Sequence, residues 1–300
     1  MTENSICRNL YVATKRRVSD AIIAGAKQRR YIFCATTGRS GTHTLHQLFQ
    51  SLPNVNAKHE PTPICNGEFS EQWNSGDAEK LAKFKATVRD YKLPWILLWA
   101  GFSRIYFEAN HQFIKTFASE LARIIGSQIQ VIILRRPILD VATSMFHRGD
   151  IPGKPRGNRW YLDPAWAGNL INASDLLQDK PFDHDFFNCV WYCVEIEARI
   201  SEFQSEYPSI ATFELTTEEL NSLDKLLELA EWMGLTEKAK LRLSQKYSPL
   251  KADASDRQAL DVIDVDSAEV SRFVSILNAR FKNGHNGKPM RHLDSIMADG

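Results

Sequence analysis

The stretch Tyr31 to Leu45 reads Tyr-Ile-Phe-Cys-Ala-Thr-Thr-Gly-Arg-Ser-Gly-Thr-His-Thr-Leu and gathers groups that hold a dianion. Gly38 and Gly41 permit a tight turn and a close backbone approach. Backbone N–H groups at the start of a helix, helped by its dipole, attract phosphate or sulfate. Arg39 adds a fixed charge and a fork of donors that suits either anion. Ser40, Thr42 and Thr44 supply hydroxyls, with His43 among them. The ATP-type loop differs, because it sets a lysine directly after its second glycine. Here Thr42 follows Gly41, and the cation, Arg39, comes earlier.

A second set of anion-binding groups follows at 131–148. Arg135 and Arg136 leave an apolar run, Pro137 opens a helix, and hydroxyls stand at Thr143 and Ser144. An arginine and a hydroxyl so placed can converge on one phosphate. Two groups could accept a proton. Glu60, in Ala-Lys-His-Glu-Pro, is a carboxylate whose basicity partial burial would raise. His111, in Tyr-Phe-Glu-Ala-Asn-His, is an imidazole suited to general base work near neutral pH.

These residues need strands and helices to aim them. Residues 30–36 read as a first strand and 42–52 as the helix after the loop, ended by Pro53. A short strand is expected at 54–57, and a charged helix at 77–91. Residues 95–98 and 105–107 read as extended, 113–125 as a helix ending at Gly126. Residues 130–134 read as a buried strand and 138–147 as the next helix. A Gly-, Pro- and Arg-rich loop is expected at 148–165, a long amphipathic helix at 185–206 and a late strand at 210–215. Helices near 217–233, 236–245 and 267–281 complete the reading, with a basic surface helix at 7–28. Strands alternating with helices indicate an α/β fold with a central parallel sheet flanked by helices. Ligands then lie beyond the carboxyl ends of the strands, where both candidate anchors fall.

The chain has 300 residues, 43% hydrophobic, with a net charge of +1. That length suits one large domain, here 30–300 after an N-terminal helical extension at 1–29. So small a net charge argues against nucleic acid as a partner. Cys7, Cys34, Cys65, Cys189 and Cys193 are odd in number and irregularly spaced, which favours reduced thiols in a cytoplasm. Cys189 and Cys193 are expected as buried small hydrophobes, and no metal site is expected. No run approaches the roughly 20 apolar residues of a spanning helix.

The string Gly38-Arg-Ser-Gly-Thr-x-Thr-Leu resembles the 5′-phosphosulfate loop of sulfotransferases that use 3′-phosphoadenosine-5′-phosphosulfate (PAPS). It is nearer the carbohydrate and tyrosylprotein branches than the cytosolic branch, which carries lysine at the Arg39 position. The segment after residue 134 is similar to the family's 3′-phosphate motif, Arg-x-Pro with a serine eight residues after the arginine. Counting from Pro137 selects Arg135, eight before Thr143; counting back from Ser144 selects Arg136. Arg135 with Ser144 is favoured. The resemblance spans about 30–235, and it implies a P-loop nucleotide-kinase-like sulfotransferase fold. It also implies PAPS as co-substrate without a metal, a hydroxyl acceptor of carbohydrate type, and homodimers as an option. Arg39 would stabilise the charge, and Glu60, with His111 second, would act as base. Residues 280–291, with Lys282 and Lys288, are similar to the basic loop closing over the 3′-phosphate. His43 departs from the family's usual threonine. A P-loop kinase or NTPase, or an inactive nucleotide- or glycan-binding module, are the alternatives.

Overall fold

The computed structural model describes residues 29–101, 103–248, 263, 265–285 and 290. Five strands form one parallel sheet: β1 (Arg30–Ala35), β2 (Val55–His59), β3 (Ile105–Ala109), β4 (Ile129–Arg135) and β5 (Ala211–Thr216). Their order across the sheet is β2-β3-β1-β4-β5. The chain leaves β1 towards one edge and later crosses to β4 on the other side. β1 and β4 therefore flank a switch point, and the crevice beyond their carboxyl ends is where a parallel sheet binds ligands.

β1 is apolar after Arg30 because both faces of the sheet are covered. Tyr31, Phe33 and Ala35 enter one core with Val131 and Ile133. Ile32 and Cys34 enter the other with Ile132, Leu134 and Leu215. This is the strand alternation of period two, hidden because both sides are buried. Helix α1 (Thr42–Phe49) places Leu45 and Phe49 against the second core. The first is roofed by α2 (Glu68–Asn74), α3 (Ala78–Thr87), α4 (Leu93–Ala100), α5 (Ala118–Ile125) and α6 (Ile138–His147). Its centre is α7 (Asp185–Glu206), whose Trp191 and Tyr192 are fully buried. α8 (Leu223–Trp232) and α9 (Glu237–Lys246) complete the second face. α10 (Ser267–Gly284) lays Phe273 on Phe187, with ring centres 5.1 Å apart.

The parallel α/β architecture is the expected one, with one element corrected. Residues 95–98 are not extended but lie inside α4. Leu93, Ile96, Leu97 and Ala100 are buried while Trp95 and Leu98 are exposed, a helical period. A short apolar run is ambiguous by pattern alone, and Pro94 in the first turn suits a helix start. A π-helical stretch, Val88–Lys92, leads into α4 without a break, so the expected 77–91 helix runs on. The expected helix at 7–28 lies outside the described residues. Cys34, Cys65, Cys189 and Cys193 are free and buried. No described helix is long and apolar enough to cross a membrane, and no described cluster could hold a metal ion.

Candidate active site

The loop after β1 is built around left-handed backbone. Gly38, Arg39 and Gly41 have φ of 84°, 59° and 91°. Glycine adopts such values freely; arginine does so rarely, which marks Arg39 as a residue held by its surroundings. A Cβ at Gly41 would also sit 2.5 Å from Leu220 Cδ1 and force that side chain to shift. Inside the loop, Thr37 Oγ1 donates to Gly38 O at 2.8 Å and Ser40 Oγ donates to the same carbonyl at 2.9 Å. Ser40 is fully buried, so its hydroxyl braces the loop. Two outside groups fasten the turn. Tyr192 of α7 donates its hydroxyl to Thr37 O at 2.7 Å. Thr217 Oγ1 lies 3.1 Å from both Ser40 O and Arg135 O. α1 starts at Gly41 with no side-chain cap, leaving its first backbone N–H groups for an anion.

The two candidate anchors meet. Arg39 Nε donates to Ser144 Oγ at 3.1 Å, and Arg136 Nη1 donates to Arg39 O at 3.1 Å. Arg136 also pairs with Asp140 at 3.3 Å. Arg135, in contrast, is buried and held by Glu197 at 3.0 Å and Glu214 at 3.1 Å. Arg135 does not meet Ser144 here; its Nη2 is buried with no hydrogen-bond partner, and Ser144 reaches Arg39 instead. The strand exit buries the first arginine in the sheet's carboxyl end and turns the second toward the loop. Thr143 is buried with its hydroxyl unpartnered, whereas Ser144 reaches Arg39. Lys282 lies in the last turn of α10 and does not line the cleft; Lys288 lies outside the described residues.

An open cleft of about 570 Å³ lies beside the loop. Gly38, Arg39, Gly41, Thr42, His43 and Thr44 line one side; His59, Glu60, His111, Arg148, Asp150, Trp160 and Tyr161 line the rest. Strand register explains why Glu60 and His111 share it. His59 pairs with Ala109, so the residues just beyond β2 and β3 emerge side by side. Glu60 N donates to Ala109 O at 3.1 Å, and Glu60 Oε1 lies 3.4 Å from His111 Nε2. Glu60 has φ 44° immediately before Pro61, a strained setting of the kind that gathers at functional sites. Behind it, a fully buried Lys92–Glu108 pair at 2.7 Å, joined by Tyr106 and Asn110, holds the turn through Pro61 O.

Burial raises Glu60 above the usual carboxylate range, opposed by Lys115 and reinforced by Glu108. Burial, then the Lys115 charge, pushes His111 well below the ordinary imidazole value. Burial, then His43 and His46, pushes His59 down to about 4. Glu60 thus gains basicity, while His111 and His59 stay neutral near pH 7. Lys115 was not read from sequence as a site residue. The signal was there: a lysine inside the apolar 113–125 run, now fully buried beneath His111. Tyr192 had no such signal, since an aromatic in a buried helix is ordinary core.

The chain matches no known family model and no curated protein. Among solved structures it is similar to a sulfotransferase from Alicyclobacillus acidocaldarius, with 14% identity and a TM-score of 0.46, covering 89% of this chain and 98% of that one. It is also similar to the sulfotransferase domain from the curacin biosynthetic pathway, with 12% identity and a TM-score of 0.46, covering 83% and 97%. A third is sulfotransferase STF9 from Mycobacterium avium, with 12% identity and a TM-score of 0.48, covering 89% and 80%. At such scores the likeness carries no weight for function, which rests on the cleft itself.

Proposed function

We propose that this chain is a PAPS-dependent sulfotransferase that moves a sulfuryl group to an acceptor hydroxyl. The observation that carries the reading is the junction of Arg39, Ser144 and Arg136 beside a cleft that also holds Glu60. The loop from Gly38 to Thr44 would receive the 5′-phosphosulfate, and Arg136 with Ser144 the 3′-phosphate. The acceptor oxygen forms a bond to sulfur as the bond from sulfur to the phosphate oxygen breaks. Arg39 stabilises charge gathering on the leaving phosphate, and Glu60 takes the hydroxyl proton. Positioning and charge stabilisation dominate such in-line transfers, by analogy with phosphoryl transfer. A kinase reading is disfavoured by Thr42, which stands where the ATP-type loop needs its lysine. The chain's five cysteines, with Cys34, Cys65, Cys189 and Cys193 free and buried, suit work in the cytoplasm.

The cleft suits an acceptor of carbohydrate type. Trp160 and Tyr161 line it, and the Trp160 ring lies beside His111, ring centres 6.4 Å apart and planes 27° from parallel. Arg148 and Arg156 are both tied to Asp150, at 3.1 and 2.8 Å, which favours a neutral sugar over a polyanion. Trp160→Ala is expected to raise the acceptor KM by about tenfold, the loss of roughly 1.4 kcal/mol of ring contact, with nucleotide affinity unchanged. The backbone carbonyl of Trp160, which holds Gln112 and Lys115, survives that change. An unaltered KM on every accepted substrate would remove Trp160 from the acceptor site. Transfer of radiolabelled sulfate from PAPS to panels of glycans, lipids and phenols tests the function. Labelled glycan supports it, and absence of label from every panel contradicts it.

Double substitution of Arg136 and Ser144 by alanine is expected to weaken adenosine 3′,5′-bisphosphate by about 3–4 kcal/mol, on the order of 10²–10³-fold. Calorimetry without magnesium checks this. Arg135→Ala is no substitute, because it leaves Glu197 buried and tests folding.

A further inference from the structure

His111 and Glu60 are rivals for one role only until Lys115 is considered. Lys115 is fully buried, and its Nζ stands 3.0 Å from His111 Nδ1 and 2.6 Å from Trp160 O. The faces of Tyr161 and Tyr192 lie 5.4 Å away on either count. A carbonyl, two aromatic faces and the nearby Glu60 carboxylate are all partners that a cation prefers. They oppose the burial that pushes Lys115 well down. In the ammonium form that these partners favour, Lys115 has donors and no acceptor, and its bond to Nδ1 then requires that nitrogen to be unprotonated. The proton of the neutral ring then sits on Nε2, the nitrogen 3.4 Å from Glu60 Oε1. That contact is long, as catalytic hydrogen bonds often are without substrate.

Deepening the proposed function, on which it rests, we infer that His111 is a positioning residue: Lys115 fixes its tautomer, and its Nε2–H aims and holds the Glu60 carboxylate. The proton from the acceptor hydroxyl therefore ends on a Glu60 oxygen and never on the ring. Other groups face this trio and are accounted for. Gln112 Nε2 lies 3.5 Å from His111 Nε2 but donates to Trp160 O at 2.9 Å. His59 is itself neutral near pH 7 and adds no charge there, Glu108 reinforces the rise of Glu60, and Arg199 presses Lys115 downward. The rival arrangement protonates Nδ1 and donates to the Thr37 carbonyl, which the ring also approaches. That carbonyl already accepts the Tyr192 hydroxyl at 2.7 Å.

Nitrogen NMR of the full chain with labelled histidine separates the two, using His111→Gln to assign the signal. Near neutral pH the expected ring is protonated at Nε2 and bare at Nδ1, and Lys115→Met shifts the Nδ1 signal. A protonated Nδ1, or a ring indifferent to Lys115→Met, overturns the inference. Neither readout needs a donor or acceptor, so a chain that transfers no sulfate sinks the proposed function and leaves the tautomer decided on its own. Turnover gives the second arm. His111→Ala is expected to lose about tenfold, and His111→Gln, whose amide donates but takes no proton, to recover most of it. A base would instead lose about 10²–10⁴-fold in both variants, which contradicts a positioning role.

Discussion

Arg39→Ala is expected to lower turnover by about 10²–10³-fold, the effect of removing one preorganised donor aimed at developing charge. The chain should fold unchanged. The Arg39 side chain is on the surface, and Gly38, Ser40 and Gly41 keep their own bonds and contacts. Part of the loss arises at Ser144, which no longer accepts from Nε. Arg39→Lys separates the two contributions. It keeps a point charge but not the planar fork, so its turnover is expected to fall between wild type and alanine. Steady-state rates of sulfate transfer check the series, with circular dichroism as the folding control. Equal rates for wild type and Arg39→Ala would remove the proposed cation.

Glu60→Gln is expected to cost about 10²–10⁴-fold in turnover with bisphosphate affinity unchanged, because the amide keeps the shape and loses the base. The pH dependence carries a sign. The base must be ionised to accept a proton, and burial raises the Glu60 pKa. Turnover should therefore climb with pH through a midpoint above the ordinary carboxylate value, and level off once Glu60 is ionised. The glutamine variant should lack that acid limb. A wild-type rate with no acid limb above the ordinary carboxylate value would contradict Glu60 as base.

The elements were legible where periodicity was long. The helix expected at 185–206 is α7, Asp185–Glu206, because sixteen of its residues are buried and its turns repeat over 22 residues. The strand expected at 130–134 is β4, in which Val131 to Leu134 form an uninterrupted apolar run. Residues 95–98 misled because four apolar residues fit either period. Within the site, the loop from Gly38 to Thr44 was readable, as glycine spacing dictates its turn. Which of Arg135 and Arg136 turns toward the loop was not. It depends on which guanidinium meets Glu197 and Glu214, residues 62 and 79 positions away. The nearness of Glu60 to His111 was hidden likewise, since it follows from β2 lying next to β3 rather than from any spacing along the chain.

A crystal of the full chain soaked with adenosine 3′,5′-bisphosphate tests the two-anchor cleft most directly. The expected density places the 5′-phosphate on the backbone N–H groups between Gly38 and Thr44, and the 3′-phosphate within hydrogen-bond reach of Arg136 and Ser144. Density for the nucleotide outside this cleft, or with its 3′-phosphate turned away from Arg136, would contradict the assignment.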